Sequence, residues 1–195
     1  MLSPLLYTAP DDAVEATVLD VLEVGLSAAF GLSVQRLSRS RPPEGAWNAR
    51  RGQYDASERL QAVGGFVPAD PARVLGVTSR DIFLPGLSFV FGQAQLEGRA
   101  ALLSLARLQQ EFYGFPCDTL LLMKRACTEA VHELGHTFGL VHCRDPRCVM
   151  SLSTTVNQVD AKLPEFCGSC RILLHESTGM ATLSSEPSRD EEEHP

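Results

Sequence analysis

Residues 132–142 read HELGHTFGLVH, and the next residue, Cys143, opens a second set of metal-type ligands directly after the first has closed. With each of the five fixed positions at an average usage of roughly 2–7%, the pattern HExxHxxGxxH has a chance probability on the order of 10⁻⁵ in a chain of this length. The spacing has a physical reason. His132 and His136 stand at i and i+4 of a helix, so both imidazoles lie on one face at a separation that one Zn²⁺ can bridge. Glu133 projects one position further round and reaches a metal-bound water without ligating the metal, which is the place of a general base. Gly139 falls where the chain must reverse through positive φ to carry His142 back to the same ion. Three protein nitrogens leave a fourth position open, as in catalytic zinc sites. A surface helix with solvated histidines and a purely structural tri-histidine metal site are the alternative readings. Against both stand three of the five histidines at ligand spacing, with a Glu and a Gly in register.

Downstream, Cys143 and Cys148 enclose four residues, and Cys167 and Cys170 form a CxxC. This is the pattern of a closed Cys₄ zinc site, which supplies folding energy in place of chemistry. Two other readings of these thiols stay open. A redox CxxC leaves Cys143 and Cys148 unexplained, and two disulfides need an oxidising compartment. Residues 1–10, MLSPLLYTAP, have neither a basic start nor a sustained apolar core, so reduced thiols and a cytoplasmic location are expected. Cys117 and Cys127 are expected to be small buried residues.

The text HELGHTFGLVHCRDPRCVM followed by FCGSC resembles the archaemetzincins, a branch of the metzincin metallopeptidases. Their pattern, HExxHxxGxxxCx₄CxM, a gap and then CxxC, fits here with sixteen residues between Met150 and Cys167, one fewer than is usual. The resemblance extends over about residues 1–176. It implies His132, His136 and His142 on a catalytic zinc, Glu133 as general base, and Cys143, Cys148, Cys167 and Cys170 on a second zinc. Met150 would be the Met-turn residue beneath the site. It also implies an edge strand that pairs with extended substrate, and small peptides as substrates, with cleavage from the amino end and internal cleavage both open.

The rest of the chain fits one α/β (α+β) domain: a mixed twisted sheet, an active-site helix and a C-terminal zinc-stapled subdomain. Leu2–Tyr7 reads as a first strand. Asp11 and Asp12 precede a helix over Ala13–Phe30 with Val14, Val18, Val21, Leu22 and Leu26 at helical spacing, which Gly31 ends. Leu32–Leu37 is a strand, Ser38–Gly52 a loop, Asp55–Ala62 a helix and Arg73–Thr78 a strand. Leu87–Phe91 and Arg99–Leu105 read as neighbouring strands, one near the sheet edge. Pro116 and Asp118 start the active-site helix, whose stripe is Leu120, Met123, Cys127, Val131, Leu134 and Phe138, with His132 and His136 opposite. Gly168–His175 starts a closing helix with Ile172 and Leu173 inward and His175 at its end. Residues 177–195 lose periodicity, turn acidic and read as a disordered tail.

At 195 residues the chain can bury a full core, and 44% hydrophobic with 21% charged residues is globular composition. The net charge of −7 speaks against nucleic acid, and beyond Arg144 and Arg147 the basic residues do not gather round the cysteines. Arg39, Arg41, Arg50 and Arg51 read as a solvated loop. No apolar run is long enough for a membrane span. The expectation is a monomeric zinc metallopeptidase with two zincs, peptide substrate and Glu133 as base toward a zinc-activated water. The alternative is a non-catalytic peptide-binding or scaffold protein that retains the metals.

Overall fold

The computed structural model describes residues 5–178 except 12, 40, 42 and 69–71. In chain order its elements are β1 (Leu6–Pro10), α1 (Ala16–Phe30), β2 (Val34–Arg36), β3 (Trp47–Asn48), β4 (Gln53–Asp55), α2 (Ala56–Gly64), β5 (Arg73–Thr78), β6 (Ile82–Phe83), β7 (Gly92–Ala94), β8 (Ala100–Ser104), α3 (Thr119–Thr137), α4 (Val156–Ala161) and α5 (Gly168–Thr178). The main sheet has the order β2-β1-β5-β8-β7, and β3-β4-β6 form a smaller one. All pairs in the main sheet are parallel except β7 with β8.

Why β5 and β8 are apolar at nearly every position follows from their place. They lie mid-sheet between two helical layers, so neither face can be polar. Leu75, Val77, Ala101 and Leu103 join one core with Leu19, Leu22 and Leu26 of α1 and Leu134 of α3. Val74, Ala100 and Leu102 join another with Leu60 and Val63 of α2. The two sets alternate along each strand, as the pleat requires.

Several expected elements form where the sequence placed them. Gly31 ends α1 with φ 65°, and the Asp55 carboxylate caps α2 by accepting from the amides of Ser57 and Glu58. The first strand shifts to Leu6–Pro10, and Leu2–Pro4 lie outside the described residues. The first helix begins only at Ala16, because Asp11 is drawn inward: its carboxylate accepts from Thr78 Oγ1 and pairs with buried Arg59 at 3.6 Å.

Other expectations are corrected. Leu87–Phe91 is an irregular, bent segment with a single bridge from Val90 to Ile82, and the edge strand is Gly92–Ala94. In the expected Ser38–Gly52 loop lie a 3-10 turn, Glu44–Ala46, and β3. Its Arg51 is not simply solvated, because the guanidinium stacks 4.1 Å over Phe83 and donates to the carbonyls of Leu87 and Ser88. Cys117 is exposed. Cys127 is half-buried against α1, and burial pushes its thiol up to about 11. In α5 Ile172 and Leu173 face outward, while Cys170 and Leu174 are buried. Cys170 must meet the other three thiols, so its i+4 neighbour, Leu174, takes the core-facing position. That helix runs past His175 to Thr178, and the acidic tail beyond it lies outside the described residues. Among the described residues no helix is long and apolar enough to cross a membrane.

Candidate active site

The Asp118 carboxylate caps α3 by accepting from the Leu121 amide. Leu120, in the first turn, is exposed, but from Arg125 to Gly135 nearly every residue is buried, polar ones included. The sheet packs against one side of this stretch, and the segment after Met150 packs against the other. His132 and His136 therefore project from a helix that is packed on both sides. After Thr137 the chain reverses at Gly139, φ 88°, where the left-handed backbone favours glycine, and His142 returns to the first two histidines. Ring centroids are 4.7 Å apart for His132 and His136, 5.4 Å for His132 and His142, and 5.0 Å for His136 and His142.

Each of the two helix imidazoles has a carbonyl on its far side. His132 Nδ1 lies 2.8 Å from Val149 O, and His136 Nδ1 lies 2.7 Å from Leu140 O. A carbonyl only accepts, so both Nδ1 atoms carry the proton and both Nε2 atoms present lone pairs. These two acceptors stand 3.1 Å apart. Without a cation between them they repel, and an ion with bonds of about 2.0–2.1 Å to nitrogen suits that separation. Burial holds His132 well below the ordinary imidazole range and lowers His136 and His142, so all three favour the neutral, ligating form.

Glu133 is buried beside them. Burial pushes its carboxyl well above the usual range, neighbouring Glu129 adds to this, and the Lys162 cation opposes it. A Cβ at Gly92 of β7 would stand 2.5 Å from Glu133 Oε1, so the edge strand lies flush on this carboxyl only because it carries glycine there. On the opposite side of α3 a Cβ at Gly135 would meet Met150 Sδ at 2.5 Å. Met150 is wholly buried and packs against α3 at Gly135. Neither glycine was read from the sequence as a site residue. The only sequence signal is a small residue inside a helix and another beside an apolar run, which many glycines share.

The four cysteines converge. Their sulfurs lie within 4.8 Å of one another, with Cys143 and Cys167 Sγ at 3.8 Å. That distance is far beyond a disulfide bond and matches the edge of a tetrahedron with metal–sulfur bonds of about 2.3 Å. All four are free thiols. The shortened loop after Met150 is anchored at both ends: Cys143 N donates to Met150 O, Leu163 N to Arg147 O, and Val149 N to Glu165 O. Inside it, Thr155 and Gln158 form a capping box that starts α4.

A cleft of about 550 Å³ opens on the histidine side, lined among others by Phe89, Gly92, Ala94, Glu133, His142 and Thr154. One wall is thus the sheet edge and the facing wall the segment that follows Met150. A family model described as peptidase family M54 matches residues 20–176. The chain belongs to peptidase family M54. The archaemetzincin of Methanopyrus kandleri is 43% identical over 159 residues, 82% of this chain and 87% of that protein. The crystal structure of an archaemetzincin from the same organism matches at TM-score 0.77 and 38% identity, covering 91% of this chain and 96% of that one. A zinc-dependent peptidase from Methanocorpusculum labreanum matches at TM-score 0.78 and 32% identity, covering 88% and 100%. As a family M54 member of archaemetzincin type, the chain is a zinc metallopeptidase with the expected α/β fold. Its histidine and cysteine sets could each hold a metal ion.

Proposed function

We propose that this chain hydrolyses peptide bonds at the His132, His136 and His142 site, with the substrate extended along β7 and Glu133 as general base. The observation that carries the proposal is one juxtaposition: a buried carboxyl, three converging imidazoles and a sheet edge share one cleft. Zinc held by the three histidines would supply a Lewis acid for the scissile carbonyl and the attacking water. A second zinc, on Cys143, Cys148, Cys167 and Cys170, would staple the C-terminal segment to α5.

The chain's own residues do the rest. Phe91 O accepts from Ser104 N, and Gln95 N donates to Ala100 O, so the backbone groups of alternate residues of β7 turn toward β8. By that alternation Gly92 and Ala94 turn their N–H and C=O groups outward, and an extended peptide can pair with them. Bound there, its scissile carbonyl lies over Glu133. The base form of Glu133 is disfavoured by burial and by Glu129, but beside a dication the ionised carboxylate is favoured. Glu133 takes a proton from the attacking water and gives it to the leaving amine nitrogen.

Glu133→Gln keeps the shape and removes only the basic carboxylate. Both metals and peptide affinity should persist, and turnover of a peptide library, read by mass spectrometry, should fall by about 10²–10⁴-fold. Product masses also decide between cleavage from the amino end and internal cleavage. If zinc-loaded parent protein binds peptides but turns over no more than Glu133→Gln, the catalytic reading is replaced by the peptide-binding one.

A further inference from the structure

Lys162 is buried to 1% exposure, among the largest side chains wholly removed from water in this protein. An ammonium there loses its hydration, so its partners must be accounted for. It donates hydrogen bonds to two backbone carbonyls and forms an ion pair with one carboxylate oxygen. Glu129 Oε1 lies at 2.8 Å, Ser151 O at 2.9 Å and Val149 O at 3.3 Å. The two carbonyls flank Met150 on either side. Val149 O is also the acceptor for His132 Nδ1, so its two lone pairs serve the imidazole and the ammonium together. Glu129, three residues before His132 on α3, is itself buried. A closed circuit results, running from α3 through Glu129, Lys162 and Val149 O and back to α3 at His132.

We propose that Lys162 is a positioning residue for the histidine site, its ammonium holding the Val149 carbonyl in the place that orients His132. The proposal rests on the reading of His132 as a metal ligand, not on peptide hydrolysis. Stability alone does not account for the pair, because two apolar side chains of similar volume commonly replace a buried ion pair without loss. Nor is the pair needed to dock α4 on α3. Arg125 and Asp160 already do so through two bonds of 2.7 Å. What an apolar pair cannot supply is a donor to Val149 O. Partners of ligating histidines typically alter metal affinity or activity by about 10–100-fold when removed.

The test uses the full chain with both sites loaded. Lys162→Met with Glu129→Met removes both charges together, so no buried charge is left unpaired, and zinc retained on the four cysteines reports an intact fold. Competition against a graded chelator should show the histidine site binding zinc about 10–100-fold more weakly than in the parent, with the cysteine site unchanged. In metal-free protein, ¹⁵N spectra should show the His132 proton fixed on Nδ1 in the parent and exchanging between the two nitrogens in the double variant. A double variant with its cysteine zinc, parent-like affinity at the histidines and a parent-like His132 tautomer overturns the proposal. If the double variant loses its cysteine zinc, Lys162→Met alone, which removes the donor to Val149 O while buried Glu129 can take up a proton, is judged by the same ratio of the two affinities. Its histidine site should weaken at least about 3-fold against the cysteine site, and an unchanged ratio overturns the proposal. Zinc affinity is read without substrate, so failure of the peptidase reading shows only in turnover and failure of this one only in affinity and tautomer.

Discussion

Histidine and cysteine sets are joined by the single peptide bond between His142 and Cys143, yet they are built in opposite ways. The histidines come from one helix and the reversal after it, within residues 132–142, and face a cleft of about 550 Å³. The cysteines come from two segments, with Cys143 and Cys167 24 positions apart, and their sulfurs close on one another. One set is carried by a buried helix; the other joins two segments that only the fold brings together. Donor spacing alone does not separate an open site from a closed one. Here the opening is made by elements remote in sequence: the edge strand β7 and the segment after Met150.

The sharpest way to break this comparison is His136→Ala. Loss of one of three nitrogens should empty the histidine site and bring turnover to background, while one equivalent of zinc stays on the cysteines. Elemental analysis beside a peptidase assay checks it, and loss of both metals together would mean that the sets are not independent. A smaller effect is expected at the cleft wall. Gly92→Ala puts a methyl where Glu133 lies, so the carboxyl must move while the fold is kept. Turnover should drop by up to about 10²-fold with metal content and melting temperature unchanged, since a misplacement of about 1 Å can have that consequence. The smallest effect on chemistry and the largest on the fold belong to Cys167→Ser. Loss of one thiolate should release the cysteine zinc and lower the melting temperature by on the order of 10 °C, with turnover falling only as His142 loosens beside Cys143. A variant that keeps both metals and the parent melting curve would remove the stapling role.

What could be read in the chain before folding was what lies within one helix or one loop. HELGHTFGLVH carries its own geometry, because i, i+4 spacing and a left-handed glycine are local facts, and Gly139 has the positive φ that the spacing demanded. The caps at Asp55 and Asp118 and the stop at Gly31 are local for the same reason. Other features were not legible, and each depends on a partner far along the chain. The outward turn of Ile172 and Leu173 follows from where Cys170 has to point. The edge strand fell at Gly92–Ala94 and not at Leu87–Phe91 because pairing with β8, not hydrophobicity, chose it. Lys162 reads as an ordinary lysine until Glu129, Val149 and Ser151 surround it. Gly92 and Gly135 read as ordinary glycines until Glu133 and Met150 come within 2.5 Å of the place of a Cβ. By itself the sequence determined the donor sets, the helix that carries the first of them and the α/β class, because periodicity and ligand spacing are properties of neighbouring residues. Only the tertiary structure decided which strand edges the cleft, which glycines let it close on Glu133, and which buried cation stands behind His132. Those contacts join residues whose separation along the chain leaves no local pattern to read.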